Sequence, residues 1–262
     1  MGILNRLQGM WSWLTSDPVG FIVYIVYFAV AVLLTLVLHE IAHGYVAFRC
    51  GDPTAKMLGR LSLDPRKHLD PVGTVCLVLF GFGWAKPVPV NPRNFRGNYR
   101  RDDFLVSIAG IVTNLTLFIV STALAVALNG LLWKPEVLEY YGAKELLTGK
   151  GFNALYFGDV NAELLQTPWL AHVQRFLLMF ASLNVCVAVF NLLPIPPLDG
   201  YHLLNDTLLG GRFNLNGQVF QITQIILLVL CFTGAFSGVL STVTGAIQNG
   251  VVNLFLAIAG QA

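Results

Sequence analysis

An unbroken apolar run, Phe21–Leu38, constrains the fold of this chain more than any other feature. The run has 18 residues without a charged side chain, a Gly or a Pro, and about 20 apolar residues suffice for a helix to cross the hydrocarbon core of a bilayer. It leads directly into His39-Glu40-Ile41-Ala42-His43. Ionisable side chains at membrane depth are costly and usually functional. The sequence therefore predicts a membrane-spanning helix with a chemical site at one end.

The two histidines of this motif are spaced for joint metal binding. On an α-helix, residues four apart lie on one face about 6 Å apart along the axis, so His39 and His43 can bind the same ion. Glu40 lies beside that ion, where its carboxylate can take a proton from a bound water. A lone His in an apolar helix is usually a core residue, but three ionisable residues within five positions favour a metal site. The motif and its setting indicate a zinc hydrolase that cuts other proteins within the membrane.

Composition extends the membrane prediction to the whole chain. Of its 262 residues, 55% are hydrophobic and 11% are charged, and the mean hydropathy is +0.67. These values are typical of an integral membrane protein, and we expect an all-α fold with about five to six transmembrane helices. The candidate spans are Phe21–Leu38 continuing towards Cys50, Phe104–Leu132, Val173–Leu193, Val219–Phe236 and Val239–Ala259.

The segment near residues 72–92 is apolar in its first part but is not predicted to span. Val72–Trp84 has only 13 residues, and three of them are Gly, so we interpret the segment as re-entrant. Val75–Phe82 is rich in Val, Leu and Phe, and Ala85–Pro92 alternates Val with Pro. The segment is either a β-hairpin or an irregular loop. A hairpin would leave a free edge that can pair with an extended substrate.

The distribution of basic residues predicts the orientation in the membrane. Ten of the 16 Lys and Arg fall between Arg49 and Arg101, and by the positive-inside rule that region faces the cytoplasm. The HEIAH end of the first span then lies near the cytoplasmic face, and Lys134–His172 lies outside. No nucleic-acid-binding patch is evident. The four cysteines form no CxxC pair, so they indicate neither a disulfide framework nor a zinc cluster.

Two histidines leave a zinc site incomplete, because catalytic zinc usually has three protein ligands and a water. Asp199 closes the sequence Asn191-Leu-Leu-Pro-Ile-Pro-Pro-Leu-Asp199-Gly at the end of the span Val173–Leu193. Its three prolines cannot continue a helix, so the chain unwinds there, at the same end of the membrane as HEIAH. Asp199 is then either the third ligand or part of a surface turn, since Pro-Leu-Asp-Gly also suits a turn.

Three segments together resemble the site-2 protease family of intramembrane zinc metalloproteases. They are HEIAH, Ser107-Ile-Ala-Gly110-Ile-Val-Thr-Asn114 and NLLPIPPLDG. The stretches Arg60–Gly73 and Gly83–Pro92 are similar to the compact prokaryotic branch of that family, which lacks PDZ and CBS domains. Matching segments run from about Phe21 to Leu204.

The resemblance implies that His39, His43 and Asp199 bind one Zn²⁺ per chain and that Glu40 is the general base. It also implies a multi-pass protein of a prokaryotic cell membrane, embedded in the lipid bilayer. Its substrates would be transmembrane proteins, and it would hydrolyse their peptide bonds near the cytoplasmic side.

Two asparagines and a third histidine have less defined roles. Asn114 corresponds to the Asn of a Gly-Pro-x-x-Asn pattern in the family, but Ile111 stands here in place of the Pro. Asn114 either supports the substrate and transition state or joins helices by a hydrogen bond. Asn191 either holds a substrate strand or caps the broken helix. His202 as a fourth protein ligand would leave no place for water, so we do not assign it to the metal.

We predict a single membrane-embedded metalloprotease domain over residues 1–262. It has an interfacial segment at 1–16, a catalytic core at 21–204 and two further helices at 219–259. The alternative is a metal-binding membrane protein or an inactive relative that acts as a binding partner. A transporter should show ionisable ligands along several spans, and an inactive relative would have lost Glu40 or a ligand. A CAAX-type protease would need a later Glu, and none follows Glu163.

Overall fold

Residues 3–71, 73, 74, 76, 83–210 and 216–261 are described by the computed structural model. Within them the chain is helical, as its composition predicts, and its only bridges are two isolated antiparallel ones, Leu69 with Ala85 and Trp133 with Leu165. The α-helices are α1 Ile3–Ser16, α2 Pro18–Cys50, α3 Thr54–Met57, α4 Tyr99–Leu132, α5 Pro135–Tyr141, α6 Ala143–Thr148, α7 Lys150–Phe157, α8 Leu170–Asn191, α9 Asp199–Thr207, α10 Gly217–Thr233 and α11 Ser237–Ile258.

Four of the described helices, α2, α4, α8 and α11, are long and apolar enough to cross a membrane. The sequence predicts five to six spans, so the described part of the chain falls one short of the lower number. The predicted span Val219–Phe236 corresponds to α10, which has only 17 residues. This helix ends at Thr233 because Gly234 adopts a left-handed conformation with φ of 73°, and glycine is the residue that does so without steric cost.

Helix α2 carries the HEIAH motif without interruption. Asp17 caps its start by accepting a hydrogen bond from the Gly20 N–H at 2.9 Å, and Pro18 occupies the first turn, where its missing N–H is not needed. The helix runs for 33 residues, about 50 Å at 1.5 Å per residue. It is therefore longer than the hydrocarbon core, about 30 Å thick, and the motif lies in its second half.

The chain folds as two compact units, and the predicted site lies in the first. That unit comprises residues 1–11, 33–114 and 187–240. It contains the second half of α2, the first half of α4, the basic loop between them, α9 and α10. The predicted re-entrant hairpin is described only in part: most of Val75–Phe82 lies outside the described residues. Between Ala85 and Asn91 the chain has no regular secondary structure beyond the bridge to Leu69.

The second unit comprises residues 12–32, 115–186 and 241–262. Its hydrophobic core is built around side chains that are almost fully buried, including Leu132, Trp133, Leu147, Leu155 and Leu256. The segment predicted as an external loop, Lys134–His172, folds here into the short helices α5, α6 and α7, which contribute to that core.

Candidate metal centre

Three side chains from two separate elements converge in the first unit. The Nε2 atoms of His39 and His43 lie 3.0 Å apart, and each lies 3.3 Å from Oδ2 of Asp199. Both histidines are buried, and Asp199 is partly buried. Ligands of a tetrahedral zinc at 2.0–2.1 Å are separated by about 3.3–3.4 Å. These three atoms could therefore hold one metal ion with little rearrangement.

The hydrogen bonds of the imidazoles indicate that their Nε2 atoms carry lone pairs. Nδ1 of His43 lies 2.7 Å from the carbonyl oxygen of Val106, which can only accept, so Nδ1 carries the proton. Nδ1 of His39 lies 3.0 Å from Oδ1 of Asn114, which accepts in the same way. A neutral imidazole then has an unprotonated Nε2. Two such nitrogens and a carboxylate oxygen repel one another at this range unless a cation lies between them.

The charge of Asp199 suits a metal ligand. An aspartate carboxyl ordinarily ionises at about pH 4, and a cation bound between it and the two Nε2 atoms would hold it in its charged form. Its Oδ2 is buried and makes no hydrogen bond to another group in the described part of the chain. A two-nitrogen, one-carboxylate set of this kind is typical of catalytic zinc.

Gly110 explains how α4 can approach the two histidines. A Cβ built on this residue would collide with Nε2 of His43 and lie 2.5 Å from Cε1 of His39. No other residue type fits without displacing an imidazole. Sequence reasoning quoted Gly110 as part of a motif but gave it no role. The signal was a glycine inside an apolar helix, which often marks a close approach.

Asp199 begins α9, directly after the proline-rich break that follows α8. The peptide bond between Pro196 and Pro197 is cis. Gly200 lets the start of α9 pack on the turn that follows α8, because a Cβ there would come within 2.5 Å of the Leu193 carbonyl oxygen. The sequence left two interpretations of Asp199 open, a ligand or a surface turn. The structure brings its carboxylate to the two histidines, as a ligand requires.

Glu40 lies on α2 beside the convergent atoms and is partly buried. Its Oε2 accepts a hydrogen bond from the backbone N–H of Val88 at 2.7 Å. Val88 approaches α2 closely because Gly44, one turn after Glu40, has no side chain: a Cβ there would lie 2.9 Å from Cγ1 of Val88. Sequence reasoning missed this contact, since a backbone N–H has no residue-type signal.

The asparagines lie in different settings. Asn114 is fully buried and contacts His39, as described above. The Nδ2 of Asn191 donates to the carbonyl oxygen of Val187, one turn earlier in α8, at 3.1 Å. The structure therefore places Asn114 against a candidate ligand and pairs Asn191 with its own helix.

His202 belongs to a neighbouring cluster of ionisable groups. Its Nδ1 lies 3.5 Å from Oδ2 of Asp103, and the hydrogen bond to Asp103 is the main reason that its pKa is raised. Asp206 lies one turn further along α9. Burial, and then the charge of Asp103, raise the pKa of Asp206 to about 6.

Comparison with known proteins relates this chain to named relatives. Residues 27–234 match the family model of Peptidase family M50. The chain is 35% identical over 232 residues to the Bacillus subtilis protein named "Putative zinc metalloprotease YwhC", which covers 88% of this chain and 92% of that protein. It is 28% identical over 243 residues to "Putative zinc metalloprotease Rip2" of Mycobacterium tuberculosis, covering 90% and 79%. No solved structure matches the chain.

Proposed function

The chain belongs to peptidase family M50 and is a metalloprotease, and we propose that it is an intramembrane zinc endopeptidase acting on transmembrane proteins near the cytoplasmic face. The observation that carries this proposal is the convergence of His39, His43 and Asp199 to within 3.3 Å. These residues are the zinc ligands, one ion is bound per chain, and the whole chain forms one membrane-embedded protease domain.

The chain's own residues prepare the reaction in two ways. Asn114 and the Val106 carbonyl fix the tautomers of the two histidines, so both Nε2 atoms are available to the metal. Glu40 is the general base: it accepts a proton from the attacking water and delivers it to the leaving amine. The hydrogen bond from the Val88 N–H to Oε2 fixes the orientation of this carboxylate. Zinc, when bound, supplies Lewis-acid activation of the water and of the scissile carbonyl.

The membrane setting determines the class of substrate. Helix α2 carries the site within a candidate span, so a substrate can reach it from the bilayer. A transmembrane helix keeps its peptide bonds hydrogen-bonded and shielded, and it must unwind locally before water can attack. The basic residues between Arg49 and Arg101 support a cytoplasmic position for this end of α2.

Zinc content tests the ligand set. Detergent-purified wild type and the Glu40→Gln and Asp199→Asn variants are measured by atomic absorption, with Asp206→Asn as a matched control on the same helix α9. We expect about one zinc per chain in all except Asp199→Asn. Carefully handled wild type without zinc would favour the alternative of a non-enzymatic binding partner.

Proteolysis tests the chemistry and the substrate class separately. Casein, which is disordered and needs no unwinding, probes the peptidase step, and a single-span helical protein in liposomes probes intramembrane cleavage. Glu40→Gln should keep its zinc and cleave neither, and mass spectrometry should map the wild-type cut within the span. A fully active Glu40→Gln enzyme would end the proposed mechanism. Cuts confined to residues outside the span would end the intramembrane assignment.

A further inference from the structure

Asp52 is a fully buried carboxylate just after α2, with a relative exposure of 0%. It accepts hydrogen bonds from the Thr54 N–H at 3.1 Å and the Thr54 hydroxyl. It also accepts from the Asn91 N–H at 2.7 Å and from Nδ2 of Asn94 at 2.8 Å. Burial alone would raise the pKa of Asp52, but the hydrogen bonds from Asn94 and Thr54 hold it below its ordinary value. A buried charge is costly unless it is hydrogen-bonded, and Asp52 takes its hydrogen bonds from residues of the loop around it.

What Asp52 fixes is the Pro-Val segment, Ala85–Asn94, on which two of its partners lie. The other end of this segment is fastened separately: the Lys86 N–H donates to the His68 carbonyl at 2.7 Å, and Nη2 of Arg60 donates to the Lys86 carbonyl at 2.7 Å. Pro87, Pro89 and Pro92 restrict φ along the segment. A stiff backbone held at both ends transmits the position of either end to its middle.

Val88 lies in that middle, and its N–H donates to Oε2 of Glu40 at 2.7 Å. It is buried, at 8% exposure, against Gly44. Asn91, whose N–H donates to Asp52, follows three positions later. A long Glu side chain loses considerable rotamer freedom when it is held in one geometry, and catalysis is sensitive to misplacement of a reacting group by about 1 Å.

We propose that Asp52 is a positioning residue for Glu40, acting through the Pro-Val segment and the Val88 N–H. The inference rests on the proposed role of Glu40 as the general base. Asp52 touches neither the metal ligands nor the carboxylate of Glu40; it sets the place of the backbone N–H that orients the base.

Single variants test the two ends of this connection, with kcat and KM measured on casein and zinc content and Tm measured beside them. Asp52→Asn puts an amide donor against the Asn91 and Asn94 donors, and Val88→Pro removes the N–H. Each should lower kcat about 10- to 100-fold with zinc retained. Val88→Ala, which keeps the N–H, should lose less kcat than Val88→Pro. Asp64→Asn is the matched control, because Asp64 caps a short helix in the same basic loop through Arg66 and should leave kcat unchanged.

The double variant separates positioning from a merely structural role. If Asp52 acts through Val88, Asp52→Asn added to Val88→Pro should lower kcat no more than about 2-fold further. Losses that multiply, or single variants with wild-type kcat, would overturn the proposal while Glu40→Gln remains inactive. An active Glu40→Gln enzyme would instead overturn the proposed function, and the positioning role with it. Should Asp52→Asn fail to fold, a wild-type kcat in Val88→Pro would still overturn the proposal, and a lowered kcat with zinc retained would support it.

Discussion

Oδ1 of Asn114 lies 3.0 Å from Nδ1 of His39, across the buried contact between α4 and α2. This relationship fixes the imidazole ring and leaves its Nε2 directed at His43 and Asp199. Loss of a hydrogen bond that orients a metal-binding histidine typically lowers metal affinity by about 10- to 100-fold. Asn114 therefore has a concrete structural connection to the proposed zinc site.

Asn114→Leu should weaken zinc binding about 10- to 100-fold, because the ring of His39 loses its acceptor and its tautomer is no longer fixed. Competition with a chromogenic zinc chelator measures the affinity. Asn191→Leu is the matched control, since the Asn191 amide bonds the Val187 carbonyl of its own helix; its zinc affinity should remain near that of wild type. Equal affinities in wild type and Asn114→Leu would contradict the orienting role.

Gly110→Ala should abolish zinc binding, since the new methyl group collides with both imidazoles. Overpacking of this kind costs about 1–3 kcal/mol, so the Tm should fall as well. Gly130→Ala is the control on the same helix, because the nearest atom to its Cβ would be 3.8 Å away. Alanine favours a helix over glycine, so Gly130→Ala should match wild type or exceed its Tm. A Gly110→Ala protein with full zinc content would show that α4 can move aside.

The spacing of HEIAH predicted the pair His39 and His43, and the proline-rich break made Asp199 a candidate that the family resemblance then assigned as the third ligand. Helix geometry puts His39 and His43 on one face whatever surrounds them, and three prolines force the chain to unwind before Asp199. The Val106 carbonyl and the Val88 N–H could not be found in this way. Every residue except proline has these same backbone groups, and their positions depend on how α4 and the basic loop pack on α2.

The bounds of the last helices show a similar limit. Hydropathy predicts a span over Val219–Phe236, and the structure has a 17-residue helix that ends at Thr233, because Gly234 adopts a left-handed conformation. The segment Lys134–His172 was predicted only to lie outside the membrane. Its leucines pack with Trp133 in one core, and these leucines are spaced along several short helices and not along one long apolar run.

A matched pair of cysteine variants tests the orientation in the membrane. Lys67 in the basic loop and Lys150 in the segment predicted to be external are both exposed. In a background without the native cysteines, a membrane-impermeant maleimide added to intact bacterial spheroplasts should label Lys150→Cys and not Lys67→Cys. Both should be labelled after lysis. Labelling of Lys67→Cys from outside would place the basic loop on the other face and overturn the cytoplasmic assignment.

Asp206 should make the stability of the protein depend on pH. Its pKa is raised from 3.8 to about 6 by burial and then by the charge of Asp103, and His202 and Arg100 offset part of the increase. The folded state thus binds this proton more tightly than the unfolded state. The charged carboxylate costs stability above about pH 6, and that cost disappears as the pH falls towards 3.8.

Asp206→Asn cannot ionise, so it should be more stable than wild type at neutral pH by up to about 1 kcal/mol, a figure reduced for solvent screening. The Tm of both proteins in detergent micelles is compared from about pH 7.5 to about pH 4.5, and the gap should narrow as the pH falls. The exposed Asp159 supplies the control variant, Asp159→Asn. Because the titration of the metal ligands is common to all three proteins, it cancels in the differences. A gap that stays constant across this range would mean that Asp206 is charged in the fold at every pH tested.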